Sequence, residues 1–287
     1  MRLTRFFLCV TALVIMLSCP DLMAQKDEKA TRYEDLKKSS RRENATDLLE
    51  EANKIKSTDP EGSLGLIEQA LGISLTNKNV LDESKCYLLL GEINGQSEEW
   101  KLAMENYHTA YEKLKPNYSD TPEFLRSLMG LSSTSLKLRN NDQALQYYRE
   151  ASSLRLSNAE MAQVQLGISE VYYQMEDYEQ ALAAVESITI PKVSNSSISA
   201  SVQNQKAKIY ARMNDVERAR DALQSSQNTL RSNAGPVPEA QEADLSKAKE
   251  EVVDVLHEQK RFDEEIDLRN QSIEYNLEAK NLPEVSR

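Results

Sequence analysis

The residue types that do chemistry in proteins are few in this chain and stand apart from one another. His108 and His257 lie in distant segments, and neither has a second histidine or a cysteine at metal-ligand spacing. Of the three cysteines, Cys9 and Cys19 fall within the first 24 residues. Cys86 sits in the apolar run Cys-Tyr-Leu-Leu-Leu and reads as a small buried hydrophobe. Gly62-Ser-Leu-Gly65 lacks the lysine and the spacing of a phosphate loop and reads as a turn entering a helix. There is no Gly-x-Ser-x-Gly elbow and no kinase motif. The acidic pairs Glu98-Glu99 and Glu264-Glu265 lie beside turns, as solvated surface does. The triplets beginning at Asn44, Asn117 and Asn195 match glycosylation acceptors, but the bacterial-type leader described below makes coincidence the better reading. The sequence therefore predicts no catalytic residue, no metal site and no cofactor, and a protein that is not an enzyme.

Composition narrows the class further. Among 287 residues, 28% are charged and 40% hydrophobic, with only 8 Gly and 8 Pro. That is too little turn chemistry for a strand-rich fold, and the abundance of Ala, Leu, Glu, Lys and Gln favours helix. A net charge of -11 argues against nucleic acid, whose phosphates demand a basic patch.

Residues 1–24 read as an export signal. Arg2 and Arg5 precede the uncharged, largely apolar run Phe6–Leu17, which is shorter than the roughly 20 residues of a membrane span. Two cleavage sites are open: after Ala24 in Leu22-Met-Ala24, or before a lipid-bearing Cys19 in the loose lipobox Met16-Leu-Ser-Cys19. Cleavage after Ala24 leaves Cys86 as the sole cysteine, so no internal disulfide forms. Residues 25–42 mix both charge signs and carry only Tyr33 and Leu36 as sizeable apolar groups, as a linker does.

From residue 43 to 287 the elements repeat. In Met161–Ile188 the residues Met161, Val164, Ile168, Val171 and Met175 recur at helical steps. A polar break follows, then a second stripe through Tyr178, Ala181, Leu182, Val185 and Ile188. Two amphipathic helices joined by so short a turn lie antiparallel and pack face to face. Ala181 stands where they cross. Ala103, Ala144 and Ala219 hold the same place in their own units, at spacings of 41, 37 and 38 residues along the series. Ser63 opens the series, and Glu265 stands 46 residues after Ala219. The extra length falls in polar stretches between pairs, where Pro and Gly stop one pair before the next begins.

This pattern resembles tetratricopeptide repeats, whose unit is about 34 residues of helix–turn–helix. Leu90-Gly91, Trp100, Ala103, Tyr107 and Ala110 fit that signature best. Gly167, Tyr172, Tyr178 and Ala181 follow, as do Ala207, Tyr210, Ala219 and Leu223. The third unit departs at Asn141 while keeping Ala144, Tyr148 and Ala151, and the sixth departs at Glu265. The resemblance implies an all-α, right-handed α-solenoid of about six stacked antiparallel helix pairs. Tyr107, Tyr148, Tyr172, Tyr178 and Tyr210 are expected in its core, with Tyr147 and Tyr173 pointing elsewhere.

In such arrays the first helix of each pair lines a concave face that holds peptides or partner helices. Counting from the crossing residues places Lys85, Arg126, Tyr173, Asn204, Lys208 and Arg212 there. Four of these are basic, which suits an acidic or carboxylate-bearing segment, although their spacing is not that of the known tetratricopeptide carboxylate clamps. Leader, linker, array and the phrase Phe262-Asp-Glu-Glu-Ile-Asp-Leu-Arg-Asn-Gln-Ser together resemble the exported part of bacterial sensor histidine kinases. That likeness implies a sensory or docking role in the periplasm or envelope. Asn281-Leu-Pro-Glu-Val-Ser-Arg287 reads as the opening of a further helix, so a longer product is expected. An envelope adaptor, lipidated at Cys19, is the alternative. A protein or peptide is the expected partner, a membrane only through a lipid anchor or a later segment, and no oligomeric state is specified. Ala181→Glu would wedge a charge between two helices, and its melting midpoint should fall well below that of the wild type; an unchanged midpoint would refute the register.

Overall fold

The computed structural model describes residues 44–189, 196–232 and 237–285, without the side chains of Ser196 and of residues beyond 273. The leader, the linker 25–42, Cys9, Cys19, Asn195 and the chain's last two residues lie outside the described residues. Those described form twelve helices and no strand. The first six are α1 (Ala45–Ile55), α2 (Pro60–Asn77), α3 (Val80–Gln96), α4 (Trp100–Leu114), α5 (Pro122–Lys137) and α6 (Asn141–Ser152). The other six are α7 (Asn158–Gln174), α8 (Tyr178–Glu186), α9 (Ser196–Arg212), α10 (Val216–Arg231), α11 (Glu239–Glu258) and α12 (Phe262–Val285). They fall into six helix pairs, and the chain divides after Ser127, inside α5, into two compact units.

One turn joins the two helices of five of the six pairs. Glu98, Arg139, Glu176, Asn214 and Lys260 each have a left-handed backbone, with φ between 58° and 63°. Each stands five residues before its crossing residue. The next residue's N–H reaches back five positions to close the first helix: Asp177 to Tyr172 at 3.0 Å, Asp215 to Tyr210 at 2.8 Å, Arg261 to Leu256 at 2.9 Å. This is a Schellman termination. That same next residue then opens the second helix, and Asp177 and Asp215 cap it by accepting from the N–H groups of Gln180 and Arg218. A chain that ends one helix and caps the next within two residues has no room for anything but reversal.

The crossing residues are where the pairs close. Ala103, Ala144, Ala181 and Ala219 are fully buried, as is Ser63. The Ser63 hydroxyl donates to the Ala52 carbonyl at 2.9 Å, and Ser169 donates to the Ala181 carbonyl at 2.8 Å, so these buried hydroxyls are satisfied by the opposing backbone. In the sixth pair Glu265 takes the small residue's place. His257 Nδ1 lies 3.0 Å from one of its oxygens and Arg269 donates to the other at 3.1 Å. The His257 contact, and then Arg269, hold this carboxyl below the usual range.

In the first unit, α1, α2 and α3 bury Leu49, Ala52, Ile67, Ala70, Cys86 and Leu89 in one cluster, and α4 packs on α3. In the second, each second helix also touches the first helix of the following pair, as α8 does α9 and α10 does α11. One cluster joins α7 to α9 and another joins α9 to α12. No pair is complete alone, because each buried Leu or Val, contributing roughly 1.5–3 kcal/mol, takes part of its cover from a neighbour. The apolar stripe of α7 runs through buried Val164, Ile168 and Val171 as the sequence indicates, but it stops short of Met175. Met175 caps the helix and is 43% exposed. Gly62 and Gly65 lie inside α2, not in a turn before it, because Asp59 caps that helix at Gly62.

Two glycines let tyrosines into the core. A Cβ on Gly91 would stand 2.7 Å from the Tyr107 ring, and one on Gly167 would stand 2.2 Å from the Tyr148 ring. Both tyrosines are buried, as the resemblance implies, and burial pushes the Tyr148 phenol up to about 12. Tyr172, Tyr178 and Tyr210 are partly buried against their clusters. Gly167→Ala should therefore destabilise by about 1–3 kcal/mol through overpacking, and Gly167→Ala with Tyr148→Leu should recover part of that loss in chemical denaturation.

Candidate binding face of the first helices

The six residues nominated from sequence all lie on first helices: Lys85 on α3, Arg126 on α5, Tyr173 on α7, and Asn204, Lys208 and Arg212 on α9. Steps of four carry the last three up one face of α9. Placement follows the register; the electrostatics do not follow the expectation.

In the first unit Glu92 of α3 is a bridge. Arg126 of α5 donates Nε to its Oε1 at 2.6 Å, and Lys56, at the end of α1, binds its Oε2. One carboxylate thus ties three successive first helices. Lys85 lies 3.5 Å from Asp82 on its own helix and 3.8 Å from Glu123 of α5. In the second unit Lys208 donates to Glu170 of α7 at 2.8 Å, with its ammonium 5.1 Å from the Tyr173 ring centre. Arg212 pairs with Glu251 of α11. The Asn204 amide donates to Asp244 of α11 at 2.9 Å.

These contacts correct two parts of the sequence reading. Asn204 is 1% exposed, so it is a buried tie between α9 and α11 and not part of an open surface. Lys85, Arg126, Lys208 and Arg212 are each met by a carboxylate, so they do not make the uncompensated basic face that an acidic segment would seek. The reason is geometric. First helices of neighbouring pairs lie side by side, and the cation of one finds the acid of the next before any partner arrives. Sequence reasoning missed Glu92, Glu123, Glu170, Asp244 and Glu251. The signal that finds them is an interval: partners stand 34 to 40 residues apart, one repeat.

Burial of this layer shows in its titration. The Tyr173 hydroxyl is out of water and makes no hydrogen bond of good geometry, although Arg212 and Glu251 lie beside it. Burial first, then the Glu251 carboxylate, pushes its pKa up. The Tyr173 hydroxyl, and behind it Glu251, hold the Arg212 guanidinium protonated. Cys86 is fully buried, and burial, then Asp82 and Glu83, push its thiol up to about 12, which suits a packing role. His108 is exposed, and Tyr147 is half-buried. Among the described residues no group of three or more His, Cys, Asp or Glu could hold a metal, and no helix is long and apolar enough to cross a membrane.

Residues 125–158 match the tetratricopeptide repeat family. They cover α5 from Leu125 onward, α6 and the first residue of α7. This stretch lies in the third unit, and not in the second, whose signature residues fit best. No curated protein matches the chain. Among solved structures, BtubC (BKLC) from P. vanneervenii is 17% identical, with 82% of this chain and 89% of that one covered and a TM-score of 0.54. PilF of Pseudomonas aeruginosa is also 17% identical, covering 83% and 91%, with a TM-score of 0.55. The APC/C hetero-tetramer Cut9-Hcn1 is 15% identical, covering 81% and 43%, with a TM-score of 0.52.

Glu92→Gln removes one charge but strands two cations. It should cost about 1–2 kcal/mol, between the limits for exposed and buried pairs, and the loss measured in urea should shrink as salt rises. An all-α fold of stacked antiparallel pairs, ion pairs set one repeat apart and the family match lead to the same assignment: the chain carries a tetratricopeptide repeat at residues 125–158, among helix pairs that share its α-solenoid type of fold.

Proposed function

We propose that this chain is an exported, non-catalytic scaffold that holds a protein partner against the first-helix face of its repeats. Stacked repeats of this fold present an extended binding surface and act as protein–protein interaction scaffolds. The observation that carries the reading is the first-helix layer of the second unit. Tyr173, Lys208, Arg212 and Glu251 are fixed there by mutual contacts across α7, α9 and α11. A rigid, prepaid arrangement of alternating charges costs little further entropy when a partner docks. Paired charges favour a partner of mixed charge over a purely acidic one. Among proteins of similar fold, Cut9 stands in a hetero-tetramer with Hcn1.

Export rests on Arg2, Arg5 and the apolar run Phe6–Leu17. The resemblance to the sensory part of bacterial sensor histidine kinases supports a sensing role in the periplasm or envelope. Met16-Leu-Ser-Cys19 supports the second reading, an envelope adaptor anchored by lipid at Cys19. A photoreactive p-benzoylphenylalanine in place of Tyr173, compared in cells with the same group in place of exposed Glu217 on α10, tests the face. The first should give a discrete cross-linked protein that the second does not; identical adducts, or none from position 173, would refute the assignment. Alkaline phosphatase fused after Arg42 should be active if the leader exports the chain.

A further inference from the structure

Two first helices carry a glutamate six residues before the left-handed residue of their turn: Glu92 before Glu98 on α3, and Glu170 before Glu176 on α7. Each takes a cation from a neighbouring first helix. Lys208 of α9 donates to Glu170 at 2.8 Å. Arg126 of α5 donates Nε to Glu92 at 2.6 Å, and Lys56 binds the other oxygen. The two layers differ three residues further on, one turn along the same helix face. On α7 that place holds Tyr173, whose ring centre is 5.1 Å from the Lys208 ammonium. On α3 it holds Gly95, which has no ring to set beside its cations.

The place at Gly95 is open. A Cβ built there would meet a ring carbon of Trp100 at 3.8 Å, and nothing else within 4 Å beyond its own stretch of helix. Gly91, one turn earlier, is the contrast, because the Tyr107 ring occupies the space its side chain would need. Gly95 is half-buried, and solvent reaches 38% of the Arg126 side chain and 21% of that of Lys56. Tyr107 gives a second, independent sign. It is 8% exposed, yet its hydroxyl makes no hydrogen bond with any described residue. Burial first, then Glu92, push its pKa up while Arg126 opposes them, so the phenol faces that pair. A tyrosine so deeply buried ordinarily finds a partner for its hydroxyl.

We propose that Gly95 is the floor of a notch that takes an aromatic side chain of the protein partner, in the place Tyr173 fills on α7. The ring lies over the α3 backbone with the Trp100 indole at its edge. Arg126 and Lys56 meet its face as Lys208 meets that of Tyr173. The Tyr107 hydroxyl donates to a carbonyl of the partner's backbone. An aliphatic side chain would fill the space without the cation contact, and a carboxylate would have to compete with Glu92. This assignment rests on the reading that the first helices hold the partner, and it names the chemistry they recognise in the first unit.

Trp100 is the chain's one tryptophan and reports on the notch. A capped pentapeptide with a central phenylalanine, titrated to millimolar concentration, should change its emission saturably. Cyclohexylalanine at the centre keeps the bulk and loses the π-face, so that peptide should bind about threefold more weakly. A peptide with alanine there should not bind. Gly95→Tyr supplies the ring from within; it should melt no lower than the wild type, since a glycine leaves a helix interior, and should abolish the response. No saturable change, equal affinity for the cyclohexylalanine peptide, or a response retained by the folded Gly95→Tyr chain would overturn the proposal. Any of these results alongside a discrete cross-link from position 173 would refute the notch alone and leave the first-helix face standing.

Discussion

The close approach of two helices at one small residue is the constraint from which the rest of this structure follows. With a methyl group or a hydroxyl at the crossing, two backbones come near enough for Ser63 and Ser169 to bond directly to the opposing carbonyl. That approach sets the spacing within a pair. It leaves each pair with apolar residues on its sides as well as between its helices, so a neighbour is needed to cover them. The turn enforces the same geometry from the other end. Five non-glycine residues accept a left-handed backbone, at a local cost of roughly 1–2 kcal/mol each, because the hydrogen bonds of the Schellman closure and the cap that follows offset it.

Stacking then brings first helices side by side, and the polar layer answers to that arrangement. Glu92 takes a cation from each neighbouring first helix, and Lys208 and Arg212 reach in opposite directions from α9. Such pairs, partly shielded from water, are more specific than they are stabilising. They hold each pair to one register against the next. They also decide what the face offers a partner: fixed, alternating charge and an aromatic ring, where the composition of α9 alone suggests free cations.

Glu265 shows how far the pattern bends. A carboxylate where the other pairs have a small residue would be costly if left alone, yet His257 and Arg269 bind it and the turn before it keeps the same left-handed residue. The register survives the substitution because it is written in the turn as well as in the crossing.

Much of this was legible in the sequence. The helix pairs, their turns, their crossing residues and most core tyrosines depend on neighbours within a few residues, and local spacing reports them directly. The residues of the first-helix face were legible too, as positions. Their state was not. Whether Lys208 is a free cation or half of an ion pair depends on Glu170, and whether Asn204 is surface or core depends on α11, each about one repeat away along the chain. Local periodicity carries no information about contacts at that distance. Only the stacking of one pair on the next brings those groups within 3 Å, and so only the tertiary structure decides which charges remain to be offered to a partner.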